Sequence, residues 1–376
     1  RNWSHTVQDV THFEIGGTHY VAVAGSEAPP GKTGGCGVFR WNPVTLGFEL
    51  VQETADLRAS SVLFFTVSNR DTFHYLAVSN FVGAEASFGN ASSADSVNIY
   101  RWEAGEGQFV GHHSLLGPVV VGGVTYPAVY ASKLSFVNQD GSFFLAAAVE
   151  RDMTGNGVSH SRVYRWNFFG SITMANGVVA AGTGFELFQL IPSSTATDVE
   201  FVQVQGANLL LLANFKSTDG QMLNSTVQVL RYSQDAFNVI TSGDGGMFAT
   251  AQTISAVGAS AVETLSIQGV GELLVVANRQ SGPAYNQAVF DQESIVYIWN
   301  ASGGAYAVHQ VFGAGNWSTP RGEVDPRFTN AGRLATFCVP SCSTGQDGST
   351  MSVAGLRGVT GVHAFSSEGE TYLALA

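Results

Sequence analysis

A pattern that returns about every 65 residues constrains this chain more than any local feature. A β-branched or aromatic run closed by an aromatic recurs at Val38–Trp41, Ile99–Trp102, Val163–Trp166, Val229–Tyr232 and Val296–Trp299, spaced by 61 to 67 residues. Three further segments keep step with it. An apolar run closed by Ala or Asn precedes each aromatic, as in Tyr75–Asn80, Leu210–Asn214 and Leu274–Asn278. Upstream of that run lies an alternating strand ending in a turn, as in Asp9–Ile15 before Gly16-Gly17. Downstream comes Phe48–Gln52, Phe109–His113, Phe185–Gln189, Phe237–Ile240 or Tyr306–Gln310.

Each repeat therefore supplies four short strands, and no stretch keeps helical periodicity over three turns. An all-β chain in which four antiparallel strands recur is expected to form a β-propeller, because a blade buries its two faces only against neighbouring blades. The repeats divide at approximately 9–59, 60–130, 131–195, 196–260 and 261–312, with an inserted loop at 313–359 and the start of a sixth blade at 360–376. The whole of 1–376 reads as a single, incomplete propeller domain. A sequence that opens on Arg1 and stops inside the apolar run Tyr372–Ala376 also reads as a piece of a longer one.

The joint order of a strand ending at a Gly turn, then Tyr75-Leu-Ala-Val-Ser-Asn80, then Ile99-Tyr-Arg-Trp102, then an aromatic followed four residues on by Gln, resembles the epilepsy-associated repeat, also called EPTP. The second clear match is Leu273–Asn278 with Ile295–Trp299. The resemblance runs through the five complete repeats and the sixth start. It implies a seven-bladed extracellular propeller that binds proteins or mediates adhesion, without enzymatic activity.

Composition narrows the partners. Only 12% of the 376 residues are charged, against roughly 25% in ordinary soluble domains, so the polar surface is built from uncharged side chains. The net charge of -12 comes without a run of Lys and Arg, which argues against nucleic acid and anionic membranes. Apolar runs such as Leu209–Ala213 are far shorter than a membrane span. Sequons at Asn2, Asn90, Asn224, Asn300 and Asn316 are candidate glycosylation sites and fit secretion. Cys338 and Cys342 are a candidate loop disulfide, with half a zinc site as the alternative and Cys36 left over.

Several constellations suggest chemistry. Gly25–Thr33 resembles a phosphate-binding loop but has five residues, not four, before Gly-Lys-Thr, so a nucleotide site is not expected. His112 and His113 are adjacent, and in a regular strand they point to opposite faces and do not chelate together. Asp140-Gly141 and similar pairs read as hairpin turns. The repeated Trp41, Trp102, Trp166 and Trp299 fit packing between blades better than carbohydrate stacking.

Aligning the first strands places Asp9, Ser61, Ser132, Asp198, Ala261 and Gly361 at one position facing the channel of the expected ring. Asp9 and Asp198 are thus the candidate oxygen ligands of a Ca2+ or Mg2+ ion, with ordered water as the alternative. The same two acids would serve a glycoside-cleaving enzyme, a reading that lacks a third catalytic feature. The inserted loop offers Arg321, Arg327 and Arg333 as candidate binding residues. The function expected is a non-enzymatic extracellular protein-binding or adhesion module, whose partner is an extracellular protein, a further copy of the chain or a glycan. A structural subunit of an extracellular filament or coat, and the glycoside-cleaving enzyme, stand as alternatives.

Overall fold

A computed structural model describes residues 6–25, 35–54, 56, 59–80, 97–115, 117–152, 158–168, 171–173, 179–181, 183–218, 225–233, 241–242, 248–267, 269–279, 293–312, 335–337, 362–367 and 370–375. Among these residues there is no helix. The chain forms two compact units, Arg1–Ala196 with Asp235–Gly246, and Thr197–Gln234 with Met247–Ala376.

The first unit holds three blades. Blade 1 is β1 (Val7–Ile15), β2 (Thr18–Gly25), β3 (Cys36–Asn42) and β4 (Gly47–Glu53), hydrogen-bonded in that order. Blade 2 is β5 (Ala59–Ser68), β6 (Thr72–Asn80), β7 (Val97–Glu103) and β8 (Gln108–Leu115). A separate hairpin of β9 (Val119–Val121) and β10 (Val124–Tyr126) follows. Blade 3 is β11 (Val129–Gln139), β12 (Ser142–Asp152), β13 (Val158–Asn167) and, after the hairpin β14 (Ser171–Thr173) and β15 (Val179–Ala181), β16 (Gly184–Ser194).

The second unit begins with blade 4, made of β17 (Ala196–Val204), β18 (Ala207–Asn214), β19 (Ser225–Tyr232) and its fourth strand. Between them β20 (Thr241–Ser242) leaves to pair in parallel with β16 of blade 3, and β21 (Phe248–Ala256) closes blade 4. Blade 5 is β22 (Ala259–Ile267), β23 (Gly271–Asn278), β24 (Ser294–Asn300) and β25 (Ala305–Phe312). A last sheet pairs β28 (Glu370–Leu375) antiparallel with β27 (Val362–Ser367) and parallel with β26 (Ala335–Phe337), which comes from the inserted segment. The fold class is the β-propeller, built from antiparallel blades of consecutive strands.

Local chemistry explains the blade. First and second strands are joined by two-residue turns with positive φ at both residues, at Gly16-Gly17, Asp140-Gly141 and Gln205-Gly206, which twist with the flanking strands. The second strands are buried on both faces, so they read as unbroken apolar runs such as Leu209–Ala213. The fourth strands of blades 1 and 2 are sheet edges, with buried or half-buried residues interspersed with exposed ones.

Two bulges repeat. In first strands the register skips one residue, at Gln8 in β1, Ser60 in β5, Ser132 in β11 and Ser260 in β22. In fourth strands it skips Val51, His112, Phe188, Ala251 and His309. The first bulge corrects the sequence alignment, because Ser132 is the extra residue and Lys133 holds the position of Asp9, Ser61, Asp198 and Ala261.

The core lies between successive blades. Phe13, Tyr20 and Ala22 of blade 1 pack with Val62, Leu76 and Phe109 of blade 2. Phe65 and Tyr75 of blade 2 pack with Leu145, Trp166 and Phe185 of blade 3. In the second unit Leu211 and Val229 of blade 4 pack with Leu274, Trp299 and Tyr306 of blade 5.

Candidate functional site

The bulges place polar side chains at the blade boundaries. In blades 2, 3 and 4 a hydroxyl near the start of the first strand turns onto the next blade: Ser60 Oγ donates to Ala131 O at 2.9 Å, Ser132 Oγ to Ala196 O at 2.8 Å and Thr197 Oγ1 to Ala259 O at 2.8 Å. One residue on, Asp9 Oδ2 accepts the Ser61 hydroxyl at 2.8 Å and the Val62 amide at 3.1 Å. Lys133 Nζ donates to Asp9 Oδ1 at 2.7 Å, so a lysine two blades away supplies the countercharge. Asp198 repeats the arrangement in the second unit, with Oδ1 accepting its neighbour's amide at Val199 and Oδ2 accepting Val262 N at 2.9 Å.

Asp9 and Asp198 thus sit in separate units, each bonded to the backbone of the following blade. Among the described residues no group of three or more His, Cys, Asp or Glu is placed to hold a metal ion.

Glu200, two residues beyond Asp198, reaches the same boundary. Its Oε1 accepts the Thr264 hydroxyl at 2.7 Å, while Oε2 is buried without a hydrogen-bond partner. Burial and the negative charge of Glu263 push its carboxyl up to about 8, so it carries a proton at neutral pH. The buried Tyr306 hydroxyl also lacks a partner, and desolvation and the Glu200 charge raise it.

Between blades 1 and 2, the buried Asp56 collects donors from Thr54 Oγ1, Tyr100 OH at 2.8 Å, Asn80 Nδ2 at 3.1 Å and Asn98 Nδ2 at 2.7 Å. Beside it Cys36 is free and fully buried, and desolvation holds its thiol well above the usual range. That combination makes an inert thiol.

The fourth-strand bulge explains the aromatic-to-Gln spacing. Gln52 follows the bulged Val51, and its amide closes both sides of one backbone unit in the next blade: Nε2 donates to Phe109 O at 2.6 Å and Oε1 accepts Phe109 N at 2.8 Å. Gln252 clamps Tyr306 in the same way, both bonds at 2.8 Å. In blade 2 the position is His113, whose Nε2 accepts Phe185 N at 3.2 Å.

His112 is the inserted residue of the bulge, so the pair does not turn to opposite faces as in a regular strand: its Nδ1 lies 2.6 Å from His113 Nδ1, and both rings pack at the boundary against Trp166. Burial lowers His112 to about 4 and His113 to about 3, so both stay neutral. With Nε2 accepting, His113 carries its proton on Nδ1 and donates to His112.

The clamped residue belongs to an aromatic pair found in all five blades, Trp41–Phe48, Trp102–Phe109, Trp166–Phe185, Tyr232–Phe248 and Trp299–Tyr306, with centroids 5.0 to 5.4 Å apart. Tyr20 of blade 1 packs on Trp102 and Tyr75 of blade 2 on Trp166. Trp102, Trp166 and Trp299 are therefore boundary residues, as the repetition implied, while Trp41 packs on Phe48 of its own blade.

What differs between blades is the turn from third to fourth strand. In blade 1, Asn42 Oδ1 accepts Val44 N at 2.8 Å and Thr45 N at 3.3 Å, and Asn42 Nδ2 donates to Glu49 at 2.6 Å. The ordered turn holds Val44 and Leu46 almost fully in solvent. The matching turn of blade 2 is Glu103–Gln108, charged and glycine-rich.

Of the sequons, Asn300 is exposed at the end of β24, where its Oδ1 accepts the Ser302 hydroxyl at 2.7 Å. Asn2, Asn90, Asn224, Asn316, Cys338, Cys342, Arg321, Arg327, Arg333 and the segment 26–34 lie outside the described residues. No helix among the described residues is long and apolar enough to cross a membrane.

Residues 4–42 match the EPTP domain. The EPTP match covers β1, β2 and β3, so the resemblance drawn from the repeats is borne out at the first of them. No curated protein matches the chain in sequence. Among solved structures, a protein of unknown function from Dyadobacter fermentans is 10% identical, covers 83% of this chain and 84% of its own, and has a TM-score of 0.43. A GH43_1 enzyme from Xanthomonas citri is 11% identical over 83% of this chain and 92% of that one, with a TM-score of 0.36. Trypanosoma rangeli sialidase, in complex with the inhibitor DANA, is 8% identical over 78% and 47%, with a TM-score of 0.42.

Proposed function

We propose that this EPTP-type propeller is a non-enzymatic extracellular binding module that recognises a protein partner through blade-specific turns. The observation that carries the reading is the turn of blade 1. The residues common to the blades, the first-strand acids and hydroxyls, the glutamine clamps and the aromatic pairs, are engaged in holding one blade to the next. Val44 and Leu46 do none of this, yet Asn42 fixes their turn and presents both to solvent. An ordered apolar tip loses little conformational freedom on docking, which suits a protein contact. Asn300, exposed beside Ser302, supports passage through a glycosylating compartment.

The test uses the full chain, secreted from animal cells, fluorescently labelled and applied to a panel of cell surfaces and extracellular matrices. Saturable binding that is lost in a Val44→Ser, Leu46→Ser double variant of unchanged melting temperature is the expected result. Glycopeptide analysis of the secreted material is expected to find glycan on Asn300. Equal binding by the double variant would reject the turn as the contact. Hydrolysis of aryl glycosides that disappears in Asp198→Asn would replace the binding reading with the enzymatic one.

A further inference from the structure

We infer that the boundary between blades 2 and 3 is an acid-sensitive joint, in which protonation of the His112–His113 pair breaks the clamp on Phe185 and parts the two blades while the glutamine-clamped boundaries stay closed. The clamps differ in chemistry. Gln52 and Gln252 hold Phe109 and Tyr306 through carboxamides, which do not titrate. At the same place in blade 2 stands His113, 1% exposed, whose imidazole is the acceptor for Phe185 N.

The pair has no idle basic nitrogen. His113 Nε2 accepts the Phe185 amide at 3.2 Å, which leaves the ring's proton on Nδ1, and that proton is donated to His112 Nδ1 at 2.6 Å. His112 therefore accepts through Nδ1 and carries its own proton on Nε2. In each ring the atom that would take up a second proton is the atom already accepting a hydrogen bond. Protonating His113 sets Nε2–H against the Phe185 N–H, and protonating His112 sets two Nδ1–H groups against each other. Either event replaces a hydrogen bond by two facing donors, at a buried site where water does not take the bond's place.

The surroundings do little to hold an added charge. From β7, Arg101 and Glu103 act on His112 with opposite signs and are bonded to each other, Arg101 Nε donating to Glu103 at 2.8 Å. From β6, Tyr75 meets His112 edge-on at 5.6 Å, and burial pushes its hydroxyl up to about 12, so it stays neutral. Blade 3 meets the pair with the rings of Trp166 and Phe185, and Tyr164 lies in the same apolar cluster. Arg165 and Glu186 alternate with those rings and belong to the other face, where Arg165 lies over Phe188. β14, also beside β8, carries no titratable side chain. Burial accordingly holds His112 at about 4 and His113 at about 3, against the ordinary 6.5. A parted boundary returns both rings to water, where they take up protons from 6.5 downward, so the closed joint loses stability as pH falls from there toward those lower values. Loosening therefore sets in at about pH 5 to 6, the range of acidified vesicles. Above about pH 6.5 both rings are neutral in either state and the joint adds no pH dependence. Its effect is the same in the wild type and in variants of Glu200, which lies in the other unit. This inference does not rest on the partner-binding role of Val44 and Leu46.

Native-state hydrogen exchange of the full chain at about pH 7.4 and about pH 5, corrected for the intrinsic rate at each pH, tests it. Protection of Phe185 N and of its neighbours in β16 and β8 is expected to fall by about tenfold or more at the lower pH, while Phe109 N and Tyr306 N show no such fall. His113→Gln installs the clamp of blades 1 and 4 and is expected to keep protection at neutral pH and to lose most of the acid response. His112→Val combined with His113→Gln reproduces the Val51-Gln52 pair of blade 1 and is expected to abolish the response. Phe185 protection that is the same at both pH values in the wild type, an equal fall at Phe109 and Tyr306, or a variant as acid-sensitive as the wild type would each overturn the inference. The comparison of the three boundaries within the wild type needs no variant to fold.

Discussion

Glu200 is the residue whose behaviour departs furthest from its ordinary chemistry. Its folded carboxyl titrates at about 8 against 4.5 for the unconstrained group, because it is desolvated beside Glu263 and Asp198. Between those two values the unfolded chain has released the proton and the folded chain keeps it, so the unfolded state gains relative to the native one as pH rises. Stability contributed by the protonated acid is therefore complete below about pH 4.5, falls through that window and is flat above about pH 8. Because part of Glu200 still reaches solvent, the loss is on the order of 2 kcal/mol rather than the full value of the shift. Chemical denaturation from about pH 5 to about pH 9 is expected to show this slope in the wild type and its removal in Glu200→Gln. Parallel profiles for the two proteins would refute it. None of this is legible in the sequence, since the neighbours that raise Glu200 come from β22, some sixty residues away. The error at His112 and His113, and the misplacement of Ser132 for Lys133, have a different cause. Alternation was read through a bulge, and one extra residue turns every later side chain to the other face.

At the scale of the strand, the pattern was legible and its purpose was not. The recurrence of an aromatic and a Gln four residues later stands in the sequence, but only the bulge between them shows that the Gln belongs to the next blade's backbone. A glutamine whose amide bonds both the N–H and the C=O of one buried residue leaves a donor and an acceptor unsatisfied when it is removed. Gln52→Ala and Gln252→Ala are each expected to lower unfolding stability by about 2 to 3 kcal/mol, seen as a reduced denaturation midpoint at constant slope. Gln310→Ala, at the same place in β25 but exposed, is expected to change stability by less than about 0.5 kcal/mol. Equal losses at all three positions would mean that the strand needs the glutamine for itself and that the clamp is incidental. The two-residue turns were legible in full, because positive φ at paired positions has few sequence solutions, and Asp140-Gly141 is one of them.

Over the whole molecule, the period in the sequence specified four-stranded blades because each blade repeats the same burial problem. What it left unspecified is how one blade recognises the next, since a period aligns equivalent positions but does not say which of them meet. The described apolar boundaries join consecutive blades, 1 to 2 and 2 to 3 in the first unit and 4 to 5 in the second, while the Lys133–Asp9 ion pair links blade 3 to blade 1. Stability in such an array is close to a sum of blade terms and nearest-neighbour terms. A lesion at one boundary should then lower protection in the two blades that share it and fade beyond them. Native-state hydrogen exchange on Gln52→Ala is expected to speed exchange of the amides of β2, β3 and β5–β8, with Phe109 N, which loses its acceptor, among the most affected. Blades 4 and 5, which share no boundary with blade 1, keep wild-type protection, and Gln252→Ala produces the mirror result, sparing blades 1 and 2. If either variant instead accelerates exchange evenly in all blades, the chain unfolds as a single cooperative body and the nearest-neighbour account fails.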